Sequence, residues 1–125
     1  MEQADGVASL REAVEGLTYP SESDEPFDVV EWEAAEGVDL LALVEGHDGN
    51  GRKVEEVLVD DFFVALEEAE DAEQYQVLRG ALESVVAELK VFRVGEGEVR
   101  VDVYLIGVVK GGRSIVGVHT VSVET

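Results

Sequence analysis

The C-terminal third constrains the fold most. Residues 98–109 read EVRVDVYLIGVV and residues 113–124 read RSIVGVHTVSVE, with Gly111-Gly112 between them. In a strand, side chains alternate between two faces. Val99, Val101, Val103 and Leu105 fall on one face, and Tyr104, Ile106 and Val108 on the other. The second half of this segment is therefore apolar on both sides and needs cover on both. The paired glycines supply the backbone freedom of a tight hairpin turn. Upstream, Lys90 to Val94 reads as another strand and Gly95-Glu96-Gly97 as its turn. The three segments predict an antiparallel meander.

Helices come earlier in the chain. Val7, Leu10, Val14 and Leu17 recur at helical spacing, with Asp5 as the cap and Gly16 near the stop. Phe27 to Glu33 alternates like a strand, with Phe27 and Val29 on one side and Asp28, Val30 and Trp32 on the other. Gly37 to Gly46 carries Leu40, Leu41, Leu43 and Val44, a short helix, and the glycine-rich loop Gly46 to Gly51 follows. Val54 to Val59 reads as a short strand, after which Asp60 caps a turn through Asp61-Phe62-Phe63. Tyr75, Leu78, Leu82, Val85, Val86 and Leu89 form a helical stripe, predicting a helix over 72–89. Helices first and a meander last is an α+β pattern with a mainly antiparallel sheet. No repeat, linker or low-complexity tract interrupts it, so residues 1–125 read as a single domain.

The net charge is −20. It is uneven: residues 1–50 hold 14 acidic residues against Arg11 alone. Such a surface repels phosphates and argues against direct nucleic-acid binding. It favours a basic protein partner and a fast, steered encounter. Scarce lysine beside abundant Asp, Glu, Val, Ala and Gly is also the composition of a salt-adapted protein, so total acidity does not name a function. Cysteine is absent, which excludes a disulfide framework and a thiolate metal site and suits the cytoplasm. The opening MEQADGVASLREAVEGL lacks the basic region and unbroken apolar core of a signal peptide. No apolar run is long enough to cross a membrane.

Catalytic motifs are missing from the sequence. There is neither a phosphate-binding glycine loop nor a zinc-protease helix. His119 reads as a packed sheet histidine, and His47-Asp48 as part of a solvated loop with the donors to touch a metal. Glu67 to Glu73 is a solvated junction between helices. Trp32 reads as packing under a loop, and Tyr19 and Pro20 as rim residues. The sharpest local feature is Ser21-Glu22-Ser23-Asp24-Glu25, closed by Pro26. Three carboxylates in five residues need water, a cation or a partner's arginines around them.

The segment Leu17 to Glu33, LTYPSESDEPFDVVEWE, resembles the nuclease A inhibitor family. Val91 to Thr125, VFRVGEGEVRVDVYLIGVVKGGRSIVGVHTVSVET, is similar to the C-terminal half of that family, and the first helix and the Asp60-Asp61-Phe62-Phe63 step agree. The resemblance implies a three-layer α/β/α sandwich and a non-catalytic inhibitor, monomeric when free. Its Ser-Glu-Ser loop inserts into the active site of a non-specific, magnesium-dependent endonuclease. The resemblance implies that Glu22 replaces the scissile phosphate there, flanked by Ser21, Ser23, Asp24 and Glu25. It implies also that Thr125 reaches the metal, which the nuclease holds, and that the inhibitor has no cofactor of its own. The family also places an Asp-Trp contact before the long helix, where this chain has Glu70-Asp71-Ala72-Glu73. The other expectation from the residues is an acidic module that binds a different basic protein in a salt-adapted host.

Overall fold

The structure is a computed structural model that describes residues 2–19, 25–33, 40–46, 52–67, 72–95, 98–110 and 114–123. Along the chain run α1 (Glu2–Val14), β1 (Thr18–Tyr19), β2 (Glu25–Pro26), β3 (Asp28–Glu33), α2 (Leu40–Val44), β4 (Val54–Val57), α3 (Val59–Val64), α4 (Ala72–Val85), β5 (Lys90–Val94), β6 (Arg100–Val108) and β7 (Ser114–Val123). The main sheet has the order β3-β7-β6-β5-β4, and each neighbouring pair is antiparallel. β1 and β2 form a separate two-stranded ribbon. The protein is α+β, as the sequence pattern predicts.

Alternation along β6 and β7 divides the core. Val103, Leu105, Val116 and Val118 pack with Leu10 and Val14 of α1, Phe62 and Phe63 of α3, and Leu78 and Leu82 of α4. Tyr104, Ile106 and Ile115 pack with Leu40 and Val44 of α2 and with Val30 and Trp32 of β3. Helix residues therefore meet both faces of the central strands, the cover that a doubly apolar strand needs. Gly117 lies opposite Ile106 on one side and Val30 on the other. A Cβ there would collide with the Leu105 carbonyl and stand 2.7 Å from Ile106 Cα. Only glycine lets the strands approach at that rung.

Several boundaries differ from the sequence reading. α1 starts at Glu2, so Asp5 stands inside its first turns and not at the cap. Gly16 closes the helix at φ 75, with Leu17 N–H donating to Val14 O at 2.9 Å. β4 stops at Val57, because α3 starts at Val59 with Leu58 as an N-cap that has no side-chain bond. Asp60 is thus in the first turn, where it accepts a bond from Arg79 Nη2.

α4 ends at Val85, four residues short of Leu89. Val86 leaves the helix to bridge Val109, and Ala87 N–H donates to Val108 O at 2.8 Å. Two adjacent β-branched residues favour that exit over another helical turn. β6 starts at Arg100 and leaves Val99 60% exposed, so Val99 does not share the face of Val101. The loop at 47–51 and the Gly111-Gly112 turn lie outside the described residues, though Val109 N–H donates to Ser114 O at 2.9 Å across that turn. Among the described residues no helix is long and apolar enough to cross a membrane.

Candidate functional site

The ribbon presents the acidic loop. Thr18 pairs with Pro26 and Tyr19 with Glu25, so residues 20–24 connect two paired strands. Ser21, Glu22, Ser23 and Asp24 lie outside the described residues, as does Pro20. Glu25 is described, and it is a half-buried rung of the ribbon rather than part of the loop tip.

Two-residue strands are too short to hold themselves in water. Their neighbours hold them. Tyr75 Oη, from α4, donates to Thr18 O. Thr120 Oγ1, from β7, donates to Pro26 O at 3.0 Å and leans toward Glu25 O at 3.4 Å. The Tyr19 ring stacks on Phe62 at 5.9 Å and meets Phe27 edge-on at 6.3 Å. Phe27 in turn meets Tyr75 at 6.2 Å. Each such ring pair contributes about 0.5–1.5 kcal/mol beyond its area. Tyr19 is thus committed to the core rather than to a rim.

β7 ends beside the ribbon. Its pairing with β3 ends at Asp28–His119, and from there the chain before Asp28 and the chain after His119 run the same way. Val121, Ser122 and Val123 continue along β6, opposite Asp102, Val101 and Arg100. Glu124 and Thr125 lie outside the described residues. The stem of the acidic loop and the last described residues of β7 therefore lie at one end of the sheet, joined through Thr120.

The same end carries a charge cluster that the sequence reading missed. The Asp102 side chain is 4% exposed. Arg52 Nη1 donates to its Oδ2 at 2.8 Å, and Arg100 Nη2 to its Oδ1 at 3.1 Å. His119 Nε2 lies 2.8 Å from the same Oδ1. Arg52 also donates to Arg100 O at 2.9 Å and to Glu98 at 3.3 Å. Burial pushes the Asp102 carboxyl up, but the bonds from Arg100, Arg52 and His119 outweigh it and hold the group at about 2. His119 is a sheet histidine, as expected, with its ring 4.7 Å from Tyr104. One signal was present in the sequence: Asp102 interrupts the apolar strand between Val101 and Val103, with Arg100 on the same face two residues away.

Other candidates are not gathered here. Trp32 packs 5.9 Å from Tyr104 and pairs with Ile115, at the far end of β3 from the ribbon, so it does not pack under the acidic loop. His47-Asp48 and Glu70-Asp71 lie outside the described residues, while Ala72 and Glu73 open α4.

Fold and site define a small acidic α+β protein whose antiparallel sheet offers a pinned hairpin ribbon next to the end of its last strand. The chain belongs to the NuiA family, described as nuclease A inhibitor-like protein, which matches residues 4–125. A search of curated proteins finds no match to the sequence.

Proposed function

We propose that this chain inhibits a non-specific, metal-dependent endonuclease by placing the 20–24 loop and the residues after β7 in the nuclease active site. The Glu22 carboxylate stands in for the scissile phosphate, with Ser21, Ser23, Asp24 and Glu25 beside it as further acceptors and donors. A carboxylate has no phosphorus to attack, so it occupies the site without turning over. Thr125 supplies oxygen to the divalent cation held by the nuclease, and such hard cations take oxygen ligands.

The observation that carries this reading is the hydrogen bond from Thr120 to Pro26 O. It ties the stem of the acidic loop to the strand that leads to Thr125, so that both elements approach one partner surface together. Family membership supports the class of partner.

The test is titration of the purified chain against a magnesium-dependent, sugar-non-specific endonuclease while DNA hydrolysis is followed. Glu22→Gln keeps the shape and removes the charge. It is expected to weaken inhibition by roughly 2–5 kcal/mol, mainly through faster dissociation, with the melting temperature unchanged. Full inhibition by Glu22→Gln removes Glu22 from the role of phosphate mimic.

A further inference from the structure

We infer that Asp102 is a positioning residue: it locks the end of β6 to the end of β7, the strand from which the chain runs on to Thr125. The inference rests on the inhibitory reading above.

Asp102 sits opposite Val121, two residues from the last described residue of β7. Its three donors come from three segments: Arg52 ahead of β4, Arg100 at the start of β6, and His119 in β7. Arg52 adds a bond to Arg100 O at 2.9 Å and a longer one to Val94 O at 3.3 Å, which fastens the end of β5 to the same point. The carboxylate thus ties the ends of β5, β6 and β7 together in addition to their backbone pairing. Strand ends open most easily. The β3 ladder stops at Asp28–His119, so from Val121 onward β7 leans on β6.

Stability alone is a poor account of this network. A buried ion cluster is commonly matched or exceeded by apolar residues of similar volume, and its best-attested use is to fix one arrangement. A fully satisfied polar network rigidifies its surroundings. Rigidity matters at this spot, because a metal contact must be held within about 0.5 Å of its productive geometry.

The experiment is a pair of double-mutant cycles, read as inhibition constants against a magnesium-dependent, sugar-non-specific endonuclease. Asp102→Asn is combined with deletion of Thr125 in one cycle and with Glu22→Gln in the other. In the otherwise wild-type chain Asp102→Asn is expected to weaken inhibition at least tenfold. With Thr125 deleted it should change inhibition less than twofold, and with Glu22→Gln it should keep its full effect. Equal losses in both backgrounds, or no loss in the wild-type chain, overturn the inference.

Backbone hydrogen exchange supplies an arm that needs no nuclease. Asp102→Asn should speed exchange at residues 121–123 at least tenfold more than it speeds exchange at Leu105 and Val118. A uniform rise marks general destabilisation and overturns the clamp. If Asp102→Asn does not fold, His119→Leu should reproduce the loss and His119→Gln, which keeps a donor, should restore inhibition; no difference between the two overturns it as well. A wild-type chain that fails to inhibit, or single Glu22 and Thr125 changes without effect, sinks the inhibitory reading instead, and the exchange arm still decides the clamp.

Discussion

Asp102 makes part of this protein's stability depend on acid. Burial raises its carboxyl, and the bonds from Arg100, Arg52 and His119 lower it further, from an ordinary 3.8 to about 2. A depressed folded value means the folded state binds the proton less readily than the unfolded chain does. The stability it contributes is complete above the unfolded value near 4 and drains away as pH falls through about 2. The shift corresponds to about 2 kcal/mol. Urea midpoints at pH 5 and pH 2 should therefore converge for the wild-type chain and Asp102→Asn, the wild type losing about 2 kcal/mol more on acidification. A gap between them that is unchanged across this range would exclude the hub as the cause. At this scale the sequence was half legible. Asp102 stands out between Val101 and Val103, and Arg100 is a visible partner. Arg52 is 50 residues away, and only the β4-β5-β6 register brings its guanidinium to the carboxylate. Local pattern cannot encode that approach.

Among the elements, strands with strong alternation were readable, and those defined by tertiary pairing were not. β3, β5, β6 and β7 follow their apolar periods to within a few residues. β1 and β2 have no period to read, being two residues each, and exist because Tyr75, Thr120 and Phe62 hold them. The end of α4 was hidden for the opposite reason. Val86 is buried both as the continuation of a helical stripe and as a partner of Val109, so the stripe runs past the point where the helix stops. The ribbon's dependence on α4 makes a specific claim. Tyr75→Phe keeps the buried ring and removes the bond to Thr18 O. The change should lower stability by about 0.5–1.5 kcal/mol. Exchange at Thr18 and Tyr19 should quicken more than exchange in β6. If only the global stability moves and the ribbon amides stay as protected as the sheet, the bond is not what fastens the ribbon.

Across the whole molecule, charge is sorted by position as well as by sequence. Among the described residues, several acidic residues of the first half lie along one flank. Edge strand β3 exposes Asp28, Glu31 and Glu33; α1, which packs beside it, exposes Glu12, and Glu15 is exposed just past its end. At the other edge, Arg52 and Lys90 stand near β4 and pair with Glu98 and Glu56. Outward charges on an edge strand also discourage pairing with another sheet. A basic partner is therefore expected to approach the β3 flank, whose strand continues from the ribbon. The net charge of −20 sets the strength of that pull, and salt sets its reach. Exposed charges are screened over about 10 Å at 0.1 M and about 3 Å at 1 M. Between those salt concentrations the association rate with a basic nuclease should fall about tenfold or more. The dissociation rate should hold nearly steady, because contacts made inside a desolvated active site are screened much less. Stopped-flow binding across that range separates the two rates. An association rate that stays flat would mean that the acidity serves the protein's own solubility in salt, and that the partner is found by shape and close contact alone.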